Sequence, residues 1–204
     1  YTTGNTFEEF AECADGINRI GILRADVDNL GTAFVSGFED ASADGKYVTI
    51  SRTASLSRHL SLFFKFQINK ILNHAEWSFD GNTGTQRKAT IVYSGGDDLF
   101  IVGAWNDIIE LSVDINLAFQ KYTQKTLSLS AGIGIYDDSY PISVSAQEVA
   151  GLEEKSKKYP GKSCVTLLED GSSRRVQVKN KVKGIEQISA PVRVSDGTYR
   201  WKVF

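Results

Sequence analysis

The chain has 204 residues, enough for one main domain of ordinary size. Hydrophobic residues make up 41% and charged residues 24%, with a formal net charge of -2, which argues against wholesale disorder and indicates no particular partner by charge alone. No apolar stretch approaches the roughly 20 residues that span a bilayer, so we expect a cytoplasmic protein without membrane contact.

Cysteine and methionine usage add two expectations. Cys13 and Cys164 stand far apart without a CxxC spacing, which predicts neither a zinc site nor a disulfide framework. The chain contains no methionine, so we interpret it as an excised domain that carries only part of a longer protein's function.

The first half of the chain predicts a strand followed by helices. The apolar run over residues 19–26 suits a buried strand that ends in an acidic residue, and a short helix follows over 29–38. We expect Asp28 and Asn29 to cap that helix, with support of a nearby metal site as the alternative role for this pair. Between residues 51 and 73 apolar side chains recur three or four apart, which predicts one long amphipathic helix. Its phenylalanines are expected mostly to pack in the core.

The second half predicts a hairpin and then alternating helices and strands. Two apolar strand segments flank the five residues SGGDD, a hairpin connection, and a polar loop precedes them over 80–84. Asn106 is placed to cap the next helix. The predicted elements are strands over 89–93 and 99–103, a helix over 106–122, a strand over 127–136, a helix over about 143–159 and a strand over 163–168.

The end of the chain differs in composition. Residues 172–204 hold eight Lys or Arg against two acidic residues, and alternating apolar residues around Asp196 and Gly197 predict a second hairpin. Clustered basic residues neutralise phosphates, so this tail is a candidate contact for RNA or a partner subunit. We divide the chain into an N-terminal extension (1–16), a main domain (17–169) and a basic C-terminal extension (170–204).

The order of elements predicts an α+β fold of the ferredoxin-like or palm type. Such a fold has a βαββαβ antiparallel sheet with helices on one face, here with an extra helix and strand. Its first strand runs parallel to the second, so the end of the first strand lies at the same edge as the following hairpin turn. We therefore expect Asp26 to lie beside Asp97 and Asp98.

Three acidic residues at one sheet edge indicate a cation site. Like charges repel unless a cation neutralises them, and Mg²⁺ and Mn²⁺ prefer hard carboxylate oxygens. Gly95 and Gly96 carry no side chains, so a phosphate or hydroxyl group can approach the backbone there. A GGDD sequence taken alone indicates only a turn. Its combination with Asp26 at the end of the correct strand favours the metal site.

Several separate segments together resemble a known family. They are IGILRADVDNLGTAFVSGF, SRTASLSRHLSLFFKFQINKIL, IVYSGGDDLFIVGAW, LSAGIGIY and PISVSAQEVAGLEEKSKK, in that order. Over about residues 17–168 the chain resembles the second Palm domain of the large polymerase/cyclase subunit of type III CRISPR-Cas effector complexes, Csm type. GGDEF diguanylate cyclases and polymerase palm domains are its relatives in fold.

The resemblance implies a nucleotidyltransferase that makes cyclic oligoadenylate second messengers from ATP after the complex has bound target RNA. It implies two Mg²⁺ or Mn²⁺ ions and attack of a 3'-hydroxyl on an α-phosphate. The implied partners are the other subunits of the effector complex, guide RNA and target RNA through the complex, and a first Palm domain that this chain lacks.

The resemblance also assigns roles to particular residues. The SKKYPGK stretch is similar to the phosphate-binding motif of GGDEF enzymes, and Ser57 matches the position expected to contact an adenine edge. The implied catalytic residues are Asp97 and Asp98. The implied metal ligands are Asp26, the Val27 carbonyl, Asp97 and Asp98. The implied nucleotide-binding residues are Ser57, Gly95, Gly96, Lys157 and Lys162.

Two alternative functions stay open on the sequence. One is a diguanylate-cyclase-like enzyme, although GGDD replaces GGDEF and no RxxD inhibitory pattern precedes it over residues 89–94. The other is a catalytically silent palm that serves as a scaffold within an RNA-guided complex. Binding of metal and nucleotide separates these functions.

Overall fold

The computed structural model describes residues 6–39 and 47–167, together with the backbone of two strands at 192–195 and 198–200. The strands are β1 (Ile20–Val27), β2 (Ala89–Gly95), β3 (Asp98–Ala104), β4 (Leu129–Tyr136), β5 (Cys164–Leu167), β6 (Val192–Ser195) and β7 (Thr198–Arg200). The helices are α1 (Phe7–Glu12), α2 (Leu30–Ser36), α3 (Ile50–Leu62), α4 (Ile68–Asn73), α5 (Trp105–Tyr122) and α6 (Ile142–Lys158).

The strands form one mixed sheet in the order β2-β3-β1-β4-β5-β7-β6. The first four strands in this order, β2, β3, β1 and β4, pair antiparallel as in the ferredoxin-like fold. Strand β5 then pairs parallel with β4. The α+β palm fold is therefore confirmed. The second hairpin, predicted in the basic tail, is present as β6 and β7, and β7 pairs antiparallel with β5. The rest of that tail lies outside the described residues.

Alternation along β1 builds a core on each face of the sheet. Leu23 and Ala25 face the core under α3, α4 and α5, whereas Ile20 and Ile22 face a smaller core that includes Phe10 of α1 and Val149 of α6. The two crossover helical segments thus share one face, as predicted, and the additional helices α1 and α6 cover the other. Across the described part of the chain, no helix has the length and apolar character needed to cross a membrane.

The predicted long helix over 51–73 is interrupted by a π turn at Phe63–Gln67 between α3 and α4. The amide of Ile68 donates to the carbonyl of Phe63, five residues back. The wider turn places the side chains of Phe63 and Ile68 on one face of the helix, and both are fully buried. Phe64 is also buried, while Phe66 is 67% exposed, so two of the three phenylalanines pack as expected.

The expected capping role of Asn106 is wrong. Helix α5 begins at Trp105 without a side-chain cap, and the Asn106 side-chain oxygen instead accepts a hydrogen bond from the Asp15 amide at 3.2 Å. The Trp105 indole donates to the Asp15 carbonyl at 3.1 Å. These contacts fix the segment before β1 against α5, so the helix start serves tertiary packing.

A buried arginine holds the loop before β2 against α5. Arg87 is 3% exposed and pairs with Glu110 and with Asp114, the latter at 2.9 Å. Its guanidinium also donates to the Trp77 carbonyl, and Glu110 accepts the Phe79 amide at 2.8 Å. Burial raises the pKa of Asp114, against the opposing effect of its bond to Arg87. One cation thus joins the loop to two turns of the helix.

Replacing Arg87 with methionine is expected to destabilise the domain strongly. It leaves Glu110 and Asp114 buried without their cation, a change that costs about 3–5 kcal/mol in comparable buried pairs. Urea denaturation followed by circular dichroism measures the change in the free energy of unfolding. Lys88→Met, at the exposed neighbouring position, is the control. A loss below about 1 kcal/mol for Arg87→Met would show that the network contributes little.

Candidate functional site

The GGDD hairpin and the end of β1 meet at one edge of the sheet. Asp26 is directly opposite Asp98 in the β1–β3 ladder. The β2–β3 ladder continues to the pair Gly95 and Asp98, so the connection is a two-residue turn, shorter than the predicted five residues. Gly96 in this turn has a φ of 68°, a conformation that favours glycine.

This geometry brings the three predicted acidic residues together. Asp26, Asp97 and Asp98 each offer a carboxylate oxygen, and these oxygens all lie within 4.8 Å of one another. Burial raises the pKa of Asp98, and the neighbouring charges of Asp26 and Asp97 raise it further. The carboxylate cluster, as we call these three side chains, therefore concentrates negative charge at the turn.

Cationic side chains partly offset that charge. Lys157 of α6 pairs with Asp26 and, at 2.9 Å, with Glu153, which in turn binds Arg24 at 2.6 Å. Burial lowers the pKa of Lys157, but its hydrogen bonds to Asp26 and Glu153 outweigh that effect and the pKa is raised. With Asp97 and Asp98 included, four carboxylates face two cations. Two negative charges are left over when all six groups are ionised.

The residues of the carboxylate cluster fit a divalent cation. The Asp26 Oδ1 atom is buried without a hydrogen-bond partner, and a buried carboxylate oxygen is costly unless it is paired or bound to a metal. The excess of two negative charges and the set of hard oxygen ligands match Mg²⁺ or Mn²⁺. Val27 directly follows Asp26 and is the last residue of β1. The role of its carbonyl as a metal ligand stays a prediction.

Side chains just before the turn hold it in place. The Ser94 hydroxyl donates to the Phe64 carbonyl in the π turn at 2.7 Å, and the Tyr93 hydroxyl donates to the Gly95 carbonyl at 3.2 Å. A register shift between Ile91 and Tyr93 marks a β-bulge in β2. The hairpin is thus joined to the helical segment that follows α3. Ser94 was not predicted as a site residue, although it directly precedes GGDD.

The loop between α6 and β5 reaches the same edge. Lys162 Nζ donates to the Asn29 side-chain oxygen at 2.7 Å, and the Ser163 amide donates to Asp28 at 3.0 Å. The predicted capping of α2 is therefore wrong. Asn29 has a φ of 55° and makes no side-chain cap bond, and Asp28 binds across to other elements of the sheet.

Ser57 lines a groove between α2 and α3 and is not a member of the carboxylate cluster. The groove has a volume of about 500 Å³, and its surface is mainly apolar. It is lined by Phe34, Val48, Thr49, Ile50, Thr53, Ala54 and Ser57. A planar base suits such a lining. Helix α2 follows directly from the end of β1 and supplies Phe34, so it connects the groove to the cluster.

Glu153 and Arg24 were missed as site residues, and each had a sequence signal. Arg24 precedes Asp26 by two residues, which places both on one face of the strand. Glu153 precedes Lys157 by four residues, which places both on one face of α6. His59 and His74 are exposed and take no part in the carboxylate cluster.

Comparison with known proteins places this site in a family. The family model described as Cas10/Cmr2, second palm domain, matches residues 19–166. A CRISPR system single-strand-specific deoxyribonuclease, Cas10/Csm1 of subtype III-A, from Mycobacterium tuberculosis is 47% identical over 171 residues. That match covers 83% of this chain but 21% of the relative, so the chain spans about a fifth of the length of that protein.

Solved structures show the same similarity. A Csm1-Csm4 cassette in complex with cA4 gives a TM-score of 0.72 at 28% identity, over 96% of this chain and 25% of the solved chain. The cassette in complex with AMPPNP gives a TM-score of 0.70 at 33% identity, over 85% of this chain and 24% of the solved chain. Since the family model covers most of the described domain, the chain belongs to the Cas10/Cmr2 family and corresponds to its second palm domain.

Proposed function

We propose that this domain binds ATP and joins it into cyclic oligoadenylates as the nucleotidyltransferase part of a type III CRISPR effector complex. The observation that carries the proposal is the carboxylate cluster, whose oxygens lie within 4.8 Å of one another at a glycine turn. Structures similar to this chain were solved with AMPPNP and with cA4, which supports an adenine nucleotide as substrate.

The carboxylates are proposed to hold the metal. Asp26, Asp97 and Asp98, with the Val27 carbonyl, would bind Mg²⁺ or Mn²⁺. Two such ions would neutralise the triphosphate charge when bound. They would thereby favour attack of a 3'-hydroxyl on the α-phosphate, which forms the new P–O bond, breaks the α–β phosphoanhydride bond and releases pyrophosphate. A Cβ atom placed on Gly96 would meet no other atom within 4 Å, so the space beside this residue is open to a phosphate group.

The remaining predicted residues are proposed to hold the nucleotide. Lys157 Nζ pairs with Asp26 and is proposed to bind the phosphates once a metal ion takes its place at that carboxylate. Lys162 approaches from the next loop. Ser57 is proposed to bind an adenine edge in the groove between α2 and α3, while Gly95 and Gly96 allow the triphosphate to approach the turn closely.

The proposed partners follow from the family. They are the other subunits of a type III effector complex, guide RNA and target RNA through that complex, and a first Palm domain. The solved relatives are Csm1-Csm4 cassettes, which supports a Csm4-type neighbour. Contact of the basic tail with RNA or a subunit, and the cytoplasmic location, stay predictions.

Asp97→Asn is expected to weaken binding of both Mn²⁺ and ATP by at least about tenfold. The change removes one negative ligand from the carboxylate cluster while keeping the side chain's shape. Isothermal titration calorimetry measures both affinities. Glu154→Gln, which removes one negative charge from the exposed face of α6, should bind like the unaltered chain. Unchanged binding by Asp97→Asn would favour the catalytically silent scaffold.

The chain is expected to bind ATP more tightly than GTP in the presence of Mn²⁺. Ser57→Ala should reduce this preference by about fivefold, the effect of losing one hydrogen bond to the base. Calorimetric titration of both nucleotides into both proteins gives the ratio. Ser55→Ala, at another exposed position on α3, is the matched control. Tighter binding of GTP would instead support the diguanylate-cyclase-like enzyme.

The isolated chain is expected to bind ATP yet form little product. The proposed reaction needs a second nucleotide held by a first Palm domain, and an unoriented second substrate loses most of the rate gain from proximity. Chromatography of overnight reactions with ATP and Mn²⁺ measures the product. Rapid synthesis of cyclic oligoadenylate by monomeric chain would show that one palm is sufficient.

A further inference from the structure

We propose that Asp28 is a positioning residue that presents Lys162 to the phosphates of the nucleotide. This inference rests on the proposed function, since it assigns a task to a residue that the proposed ATP site does not otherwise use. Asp28 is separate from the carboxylate cluster. Its contacts lead to the loop between α6 and β5 instead.

The Asp28 carboxylate joins the ends of three strands. It is 3% exposed, and its Oδ2 atom accepts the Ser128 hydroxyl at 2.7 Å and the Ser163 amide at 3.0 Å. Asp28 follows β1, Ser128 precedes β4, and Ser163 precedes β5. The Asp28 amide also donates to the Ser128 carbonyl at 2.8 Å. One buried side chain therefore fixes the relative position of these strand ends.

The loop that Asp28 binds has an unfavourable backbone conformation. Gly161, Lys162 and Ser163 have successive φ values of 83°, 47° and 53°. Lys162 and Ser163 are not glycines, and consecutive side-chain-bearing residues in the left-handed region persist only when their surroundings hold them there. The hydrogen bond from the Ser163 amide to buried Asp28 connects this loop to the residue that follows β1.

The strained loop places the Lys162 ammonium group at the edge of the sheet that carries the carboxylate cluster. Lys162 Nζ donates to Asn29 at 2.7 Å, and Asn29 lies three residues after Asp26. The Asn29 side chain is uncharged, so it binds the ammonium group less strongly than a carboxylate does. A triphosphate can therefore take over this contact. Lys157, by contrast, is paired with both Asp26 and Glu153.

A double-mutant cycle tests the link between Asp28 and Lys162. Asp28→Ala is expected to weaken ATP binding about five- to tenfold, as expected for one misplaced phosphate contact. Lys162→Ala should give a similar loss, and the double variant no further loss, because both changes remove one interaction. Calorimetry is done with ATP, with adenosine and with Mn²⁺ alone. Adenosine and Mn²⁺ affinities should stay within about twofold of the unaltered chain.

Two further variants separate positioning from charge and from folding. Asp28→Asn keeps an oxygen that accepts both bonds, so it should retain ATP affinity within about twofold although its charge is lost. If circular dichroism shows that Asp28→Ala does not fold, Ser128→Ala replaces it in the cycle. Ser128→Ala removes one of the two bonds to Oδ2 and is expected to give a smaller loss in the same direction.

Three results would overturn the inference: undiminished ATP binding by Asp28→Ala, losses that add in the double variant, or loss of Mn²⁺ binding, which would make Asp28 a metal ligand. Failure of the unaltered chain to bind ATP would overturn the proposed function itself. Tight binding by the unaltered chain together with tight binding by Asp28→Ala would contradict only the role of Asp28.

Discussion

The antiparallel ladder between β1 and β3 is the constraint on which the site depends. Its register sets Asp26 opposite Asp98, and the two-residue turn adds Asp97. Backbone hydrogen bonds along the ladder hold Asp26 and Asp98 opposite each other, so repulsion between their carboxylates cannot separate the two backbones without disrupting the sheet. The fold thus keeps negative charge in a place where separate side chains would move apart.

Opposite charges reach this edge from different parts of the fold. The minimal ferredoxin-like sheet supplies the carboxylate cluster and Arg24, whereas α6 and the loop after it supply Glu153, Lys157 and Lys162. The added helix therefore does more than cover the second face of the sheet. It brings cations to the edge where a metal-bound triphosphate would need them. Strand β5 anchors the C-terminal end of the loop that carries Lys162.

The strand order and the carboxylate cluster were predictable from the sequence because each depends on strong, local patterns. Period-two strands, an acidic strand end and a glycine turn determine which edge Asp26 and Asp97 share. The π turn was not predictable in this way, since the apolar spacing over 51–73 suits an ordinary helix. Only packing in the folded core selects the wider turn between Phe63 and Ile68.

Long-range polar contacts were the other unpredicted feature. Asp28 before a helix resembles a cap, yet its partners Ser128 and Ser163 lie 100 and 135 residues away. Arg87 likewise binds Glu110 and Asp114 on a helix that follows two strands. Local sequence determines each of these residues' neighbours along the chain but not their partners across the fold.

Anomalous X-ray scattering from a crystal soaked with Mn²⁺ and AMPPNP tests the metal site most directly. We expect a manganese peak within about 2.3 Å of oxygens from Asp26 and the GGDD turn, with Lys157 displaced from Asp26 towards the phosphates. A well-ordered nucleotide with no peak at the carboxylate cluster, and Lys157 still paired with Asp26, would contradict the proposal that these carboxylates bind the catalytic metal.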